Sequence, residues 1–264
     1  MKRPLTSRKG RRTAIAAASL GAMLAAGGCA TVPPGAGKNP ADPYERFNRQ
    51  MYAFNDFFDR QVGKPVAEGY IDAIPKPVRT CVGNIFSNLG EIATFVDTSL
   101  EGRAHDAAVS FGRLVLNTTF GLGGCLDLGP RFGLYRNKQD FGLTMGNWGV
   151  PSGPYIVLPF LVPSTVRDTV GMAPDFLLSP IDYISPVADQ YALGVAYYVN
   201  ARAELLDTTN LLEEIALDPY AFTRDSYLQM RTNLVYHGNP PPPKDDYEEP
   251  EDPGSGGTHD LKNH

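Results

Sequence analysis

Apolar residues recur at helical spacing from Asp42 onward. The first set follows at intervals of three and four residues, which predicts an amphipathic helix. The residues of this apolar face are Tyr44, Phe47, Met51, Phe54, Phe58 and Val62. The preceding Asp42-Pro43 places an aspartate at the predicted N-cap and a proline at the first helical position. The face is rich in aromatic side chains, which suit either a protein core or a membrane interface.

The same pattern predicts further helices and few strands. The predicted helices span residues 78–89, 92–100, 104–119, 187–206 and 211–217. One more helix, the last in the chain, is predicted to start at a second Asp-Pro-Tyr, which begins at Asp218. Prolines are expected to break the chain at 65–77 and again at 174–186. The sequence therefore predicts one mainly α-helical domain over residues 42–238, and no mature segment is apolar for long enough to span a bilayer as a simple helix.

Residues 140–168, which form the central segment, differ in composition from the predicted helices. They contain four glycines, four prolines and Trp148, the only tryptophan of the chain. Proline removes a backbone donor and glycine permits unusual backbone angles, so we expect an irregular, sharply bent segment without a regular helix or central strand. Two interpretations remain open: a buried loop packed into the core, or a wall shaped to meet something apolar.

The two ends of the chain have the composition of processing and linking segments. Residues 1–28 combine six basic residues with an alanine-rich apolar stretch, which is typical of an export signal. Small residues directly before Cys29 resemble a bacterial lipobox, in which the cysteine is lipidated and becomes the mature N-terminus. Residues 29–41 are expected to be a tether. Residues 239–264 are rich in proline and acidic residues, and we predict a disordered tail.

Charge excludes one class of partner. The formal net charge of the whole chain is -5, and removal of residues 1–28 leaves 18 basic against 29 acidic residues, a net charge near -11. Such a chain repels phosphate backbones, so we expect no nucleic-acid partner.

The sequence contains no strong catalytic or metal-binding motif. It lacks HExxH, paired CxxC and GxSxG patterns, and only His105 and His237 lie in the predicted domain. A hydrolase triad would have to be assembled by the fold from Ser152 or Ser164 with His105 and Asp140. We therefore expect no enzyme, no catalytic residues, no metal and no cofactor.

Cys81 and Cys125 remain after lipidation uses Cys29. In an oxidising compartment two such cysteines are candidates for a disulfide, which would tie the second predicted helix to the glycine-rich turn at 121–124. The alternative is a pair of buried thiols that behave as small apolar residues.

The central segment carries a resemblance to a known family. The string DFG-x-T-x-G-x-W-G-V at 140–150, GPY-x-V-LPF at 153–160 and PS-x-x-RD at 163–168 resembles the signature of the MlaA/VacJ family of outer-membrane lipoproteins. The likeness extends from Asp42 to about Arg231. Gln139 and Ile92 depart from the family pattern at two turns.

The resemblance implies both a shape and an activity. It implies a helical, ring-like protein embedded in one leaflet of the outer membrane on its periplasmic face. It also implies that the protein removes phospholipids mislocated to the outer leaflet, passes them to a periplasmic lipid-carrier protein for return to the inner membrane, and associates with a trimeric porin. The alternatives are a structural envelope lipoprotein without lipid transport and an envelope lipid hydrolase.

A lipid path along the bent segment follows as a hypothesis. Its aliphatic side chains would accompany acyl tails and its polar side chains would face headgroups, with support from the first helix. The candidate residues are Phe54, Asn55, Asp140, Thr144, Asn147, Trp148, Tyr155, Val157 and Leu158.

Replacement of Cys29 with serine should abolish lipidation, because only the thiol accepts the diacylglycerol. Mass spectrometry of the mature wild-type protein should find a lipid-modified N-terminus at Cys29. The serine variant should still associate in part with membranes through its amphipathic helices, since stable anchoring usually takes two signals. An unmodified wild-type N-terminus at any other residue would contradict the prediction.

Overall fold

A computed structural model of the chain describes residues 32–160 and 163–242. The predicted signal peptide, Cys29 and most of the acidic tail lie outside these residues. The structure is mainly helical and forms one domain. The helices are α1 (Glu45–Phe58), α2 (Lys64–Ala73), α3 (Lys76–Leu100), α4 (Ala104–Thr119), α5 (Phe141–Asn147), α6 (Val166–Leu178), α7 (Val187–Ile215) and α8 (Pro219–Val235).

Several predicted helix boundaries are confirmed. Helix α4 covers the predicted residues, and α8 begins at the second Asp-Pro-Tyr, where the Asp218 carboxylate accepts a hydrogen bond from Ala221 N. The first Asp-Pro-Tyr behaves differently, and the prediction of an N-cap at Asp42 is wrong. Helix α1 begins at Glu45 without a side-chain cap, because the fully buried Asp42 carboxylate instead accepts hydrogen bonds from Asn48 and Tyr220.

Predicted breaks in the chain proved wrong where neighbouring elements hold the helix. The two helices predicted at 78–89 and 92–100 form the single helix α3, which packs along α4. Helix α7 likewise continues through the predicted gap at 207–210, where Arg202 donates to Thr209 and Lys64 donates to Asn210. Pro65 and Pro77 lie in the first turns of α2 and α3, where a missing N–H costs nothing. Pro174 lies inside α6, which packs against α5 and continues to Leu178.

The central segment contains more regular structure than predicted. It begins with the short helix α5 and continues into a two-stranded antiparallel hairpin, β1 (Tyr155–Val157) and β2 (Pro163–Thr165). In its register Tyr155 pairs with Thr165 and Val157 with Pro163. Pro163 is tolerated because it stands at the first position of its strand. Between the strands, Phe160 has a positive φ of +61°.

The interior of the domain is unusually polar. Among the described residues, buried polar and charged side chains outnumber buried apolar ones by more than two to one. The buried stripe of α3 consists of Asn88, Glu91, Thr94, Asp97 and Thr98. Large apolar side chains lie instead on the outer surface of several helices, as on α7 with Val187, Tyr191, Val195 and Tyr198.

None of the helices in the described ranges has the length and continuous apolar character needed to cross a membrane.

Cys81 on α3 and Cys125, beyond the end of α4, are joined by a disulfide across 44 residues of chain. The neighbouring Asn84 side chain donates to Cys125 O at 2.9 Å. The bridge therefore fixes the chain after α4 against the side of α3.

We expect the Cys81→Ser/Cys125→Ser double variant to lose about 4 kcal/mol of folding free energy, because a cross-link over a loop of this length restricts the unfolded chain. Denaturant unfolding of the two proteins measures the difference. Reduced wild-type protein should unfold like the double variant. Two thiols that alkylate in the wild-type protein without reductant would show that the bridge does not form.

Candidate functional site

A cavity of about 450 Å³ lies between α3, the loop at 136–140, α5, α7 and α8. One part of its lining is apolar, with Phe86, Leu143, Tyr197, Met230 and Leu234. The other part is polar and charged, with Glu91, Thr94, Arg136, Asn137, Lys138, Gln139, Asp140 and Arg231. A cavity with both kinds of lining can hold an amphipathic molecule.

A buried carboxylate holds the loop at 136–140 in place. Glu91 Oε1 accepts a hydrogen bond from Arg113 Nε at 2.7 Å and another from Arg136 Nε at 3.3 Å. Arg113 is itself fully buried and also donates to Leu134 O and to Asp127. Burial acts to lower the pKa of Arg113, but its two carboxylate partners raise it above the ordinary value. The guanidinium therefore stays charged and fixes the loop that borders the cavity.

A second buried arginine holds the other side of the cavity. Arg231 on α8 donates to Asp140 Oδ1 and to Asp168 Oδ1, both at 2.8 Å. Tyr227 donates to the second oxygen of Asp168 at 2.8 Å. Burial acts to raise the pKa of Asp168, but the hydrogen bonds and the charge of Arg231 hold that pKa below its ordinary value. Asp140 also caps α5 by accepting from Leu143 N.

The glycines of the central segment make room for this network. A Cβ at Gly142 would lie 2.7 Å from Asp168 Oδ1 and 2.8 Å from Arg231 Nη2. A Cβ at Gly171 on α6 would lie 2.5 Å from the backbone nitrogen of Gly142. The two helices therefore cross at glycine, and the buried ion pairs occupy the space that side chains would take.

The hairpin is attached to the domain by two asparagines of α1. Asn48 donates to Tyr155 O at 3.0 Å and accepts from Val157 N at 2.9 Å. Asn55, two helical turns later, donates to Leu158 O at 2.9 Å and accepts from Phe160 N at 2.8 Å. Each side-chain amide thus bonds one donor and one acceptor of the hairpin, as a neighbouring strand would do.

An aromatic cluster covers the end of the hairpin. The ring of Phe160 meets the rings of Phe54 and Phe58 edge to face, each at 5.1 Å between centroids. Phe160 is 57% exposed. Phe57, which lies on α1 between Phe54 and Phe58, is also exposed. Leu161 and Val162, which the sequence placed in the same apolar run, lie outside the described residues.

The predicted path residues are not all brought to one place. Asp140 lines the cavity, and Phe54, Asn55 and Leu158 meet at the hairpin. Trp148 and Asn147 lie elsewhere: the Trp148 indole donates to Leu100 O and the Asn147 amide contacts His237.

Three of the predicted path residues have no surface to offer a ligand. The side chains of Thr144, Tyr155 and Val157 are fully buried in the protein. Tyr155 and Val157 pack with Tyr220 in a small apolar core beneath the hairpin. Their positions correct the hypothesis that they line a path, because the alternation of a β-strand turns them to the inner face.

Sequence reasoning missed the residues that give the cavity its polarity. Arg136, Asn137 and Lys138 lie in a loop where no helical or strand pattern drew attention to them. The sequence does offer one signal, because these residues belong to a run of four polar residues at 136–139, directly before the glycine- and proline-rich segment.

The structure does not assemble the hydrolase triad that the sequence left open. His105 is exposed on α4 and contacts the adjacent Asp106, whereas Asp140 is paired with Arg231. Ser164 is buried and accepts from Thr169. In the described ranges no group of histidine, cysteine and acidic side chains has the arrangement of a metal site.

Comparison with known families gives a clear result. The family model described as MlaA lipoprotein matches residues 40–234. The chain belongs to the MlaA family. The protein named intermembrane phospholipid transport system lipoprotein MlaA from Escherichia coli K12 is 36% identical over 233 residues, which cover 85% of this chain and 89% of the relative. The Haemophilus influenzae protein of the same name is 38% identical over 208 residues, covering 75% and 79% of the two chains.

A solved structure agrees with the family assignment. It is described as "Structural basis for maintenance of bacterial outer membrane lipid asymmetry" and is 34% identical to this chain, with a TM-score of 0.66. The match covers 74% of this chain and 98% of that one. The described MlaA-family domain therefore has the fold of a protein studied for lipid asymmetry.

One acidic group near the cavity has no compensating partner. Asp97 on α3 is fully buried, and neither carboxylate oxygen has a hydrogen-bond partner among the described residues. Burial is the main cause that raises its pKa to about 7, and the neighbouring Asp175, Asp140 and Glu101 raise it further. Burial also raises the pKa of Asp175 to about 6.

Stability should therefore fall as pH rises. The pKa of Asp97 is higher in the folded chain than its value of about 3.9 in an unfolded one, so its contribution is complete below pH ~4 and is lost as pH passes about 7. We expect Asp97→Asn to be more stable than wild type at pH 8 by on the order of 2 kcal/mol, with little difference at pH 4.

Thermal unfolding of both proteins between pH 4 and 8 measures this effect. Asp72→Asn, a change at an exposed position on α2, is the matched control and should keep the wild-type pH dependence. Parallel curves for Asp97→Asn and wild type would show that Asp97 does not titrate in this range.

Proposed function

We propose that this protein removes phospholipids mislocated to the outer leaflet of the outer membrane and transfers them toward a periplasmic carrier, so that lipid asymmetry is maintained. The names of its relatives, which refer to intermembrane phospholipid transport, support the proposal. We also propose that the ring-like protein lies at the periplasmic face of the outer membrane, anchored through Cys29, with a trimeric porin as partner.

The main support for the proposal is the placement of polar side chains inside the domain and of large apolar side chains on its surface. Polar side chains fill the interior, and large apolar side chains lie on the outer faces of several helices. Exposed apolar surface on this scale is costly in water and favourable in a lipid leaflet. Helices that are too short or too polar to cross a bilayer can still lie within one leaflet with their apolar faces toward the acyl chains.

The lining of the cavity suits an amphipathic molecule. Its apolar lining, including Phe86, Tyr197 and Met230, suits acyl chains, and its charged loop at 136–140 suits a headgroup. We propose that lipid passes through the cavity and that Asp140 borders this route. The aromatic cluster at the hairpin, built from Phe54 and the exposed Phe58 and Phe160, is proposed to contact lipid beside it.

Two other functions make different predictions. A structural envelope lipoprotein would retain no phospholipid besides its own anchor, and lipid analysis of the detergent-purified protein separates it from a transporter. An envelope lipid hydrolase requires a nucleophile and a base, and separate substitution of Ser152, Ser164 and His105 would then abolish hydrolysis.

A thiol-blocking experiment tests the route. Met230→Cys places a thiol in the cavity lining, whereas Glu68→Cys places one on an exposed part of α2. A bulky maleimide at residue 230 should fill the cavity, so outer-leaflet phospholipid should rise to the level of a deletion strain. The same label at residue 68 should have no effect.

The readout is the amount of phospholipid that an externally added phospholipase can cleave on intact cells. Circular dichroism of the labelled proteins confirms that both are folded. Full activity of a folded protein that is quantitatively labelled at residue 230 would contradict a route through the cavity.

A further inference from the structure

The cavity lining contains polar atoms that the protein itself leaves unpartnered. Among the described residues, buried Glu91 Oε2, Asn137 Nδ2 and Arg231 Nε have no hydrogen-bond partner, and all three residues line the cavity. Such atoms are costly unless something satisfies them. One of the three is an anionic acceptor and the other two are donors, so they call for a ligand that offers both an acceptor and a donor.

The free acceptor is held in a defined position. Glu91 is 1% exposed, and its other oxygen, Oε1, is occupied by Arg113 and Arg136. The carboxylate therefore cannot turn its free oxygen away without breaking a buried ion pair. Any donor that reaches Oε2 forms a charge-assisted hydrogen bond, and an ammonium group adds the attraction of opposite charges.

One of the free donors, Asn137 Nδ2, belongs to a residue that lies next to a cation without a counter-ion. Lys138 follows Asn137 directly, and within the described ranges it forms no ion pair or hydrogen bond, whereas the other basic lining residues, Arg136 and Arg231, are paired with carboxylates. An ammonium and an amide N–H together match the non-bridging oxygens of a phosphodiester.

We propose that the cavity selects phospholipids whose headgroup carries a primary ammonium, with the phosphodiester at Asn137 and Lys138 and the ammonium at Glu91 Oε2. This inference rests on the proposed function and names its substrate class. Phosphatidylethanolamine fits the site. Phosphatidylcholine has the same charge and the same phosphodiester, but its quaternary nitrogen has no N–H to donate, so Glu91 Oε2 stays unpartnered.

The decisive comparison is between these two lipids, since they differ only at the nitrogen. Detergent-purified full-length protein is incubated with equimolar phosphatidylethanolamine and phosphatidylcholine of identical acyl chains, and the retained lipid is quantified by mass spectrometry. We expect the wild type to favour phosphatidylethanolamine by about tenfold, as for a binding site that loses one charge-assisted hydrogen bond.

Glu91→Gln tests the acceptor without changing its shape. Arg113 and Arg136 require an acceptor and would hold the amide oxygen, so the amide NH₂ would take the place of Oε2 and present a donor. The preference for phosphatidylethanolamine should disappear in this variant. Thermal unfolding monitors folding, because Glu91 is also part of a buried ion pair.

Lys138→Gln tests the phosphate contact independently of that ion pair. It should lower the retention of both lipids alike, by about tenfold, with the preference preserved. Lys76→Gln, the same change at an exposed position at the start of α3, should leave retention unchanged. The two lysine variants therefore keep the proposal testable even if Glu91→Gln fails to fold.

The possible outcomes distinguish this inference from the proposed function. Equal retention of both lipids by the wild type would overturn the headgroup inference but would not contradict phospholipid transport. A Lys138→Gln variant that retains lipid like the wild type would have the same consequence. Absence of any retained phospholipid would contradict the proposed function as well. Competition by soluble glycerophosphoethanolamine or inorganic phosphate, as effective as that by the lipid, would show that the site binds a free phosphate compound rather than a lipid.

Discussion

Buried pairs of arginine and carboxylate hold this domain together. Arg231 joins α8 to Asp140 before α5 and to Asp168 on α6, and Arg113 joins α4 to Glu91 on α3. Removal of one partner from such a pair leaves an uncompensated buried charge and costs about 3–5 kcal/mol. Because both networks border the cavity, the contacts that stabilise the fold also fix the shape and the charge of the candidate site.

A polar interior is a poor source of stability in water, where apolar burial drives folding. In a lipid leaflet the acyl chains are as apolar as leucine, so apolar side chains gain little from packing inside, and hydrogen bonds and close contacts decide which helices meet. The exposed apolar faces of α7 and the polar buried stripe of α3 are consistent with that environment. The glycine crossing of α5 and α6 supplies the close contact.

Helical spacing predicted the elements better than it predicted their orientation. Helix α4 and the start of α8 follow from periodicity and from the capping aspartate. The pattern alone does not state which face of a helix points inward, and a mainly apolar face is normally assigned to the core. Asp42 shows the same limit, because an N-cap prediction cannot anticipate a partner such as Tyr220, which lies 178 residues away in sequence. Likewise Asp140 lines the cavity, whereas Tyr155 and Val157 alternate into the core.

The hairpin depends both on the pairing of its two strands and on hydrogen bonds from α1, which is distant in sequence. A two-stranded ribbon is marginal by itself and exposes unpaired backbone groups at its edge. Here Asn48 and Asn55 of α1 satisfy those groups on both sides of Leu158, so the ribbon needs no third strand. The base of the hairpin is therefore buried and fixed, while Phe160, which has φ +61° and donates its backbone N–H to Asn55, remains exposed. An exposed ring on a fixed base is a suitable arrangement for contact with acyl chains, because the side chain of Phe160 can enter the lipid while its backbone N–H stays bonded to Asn55.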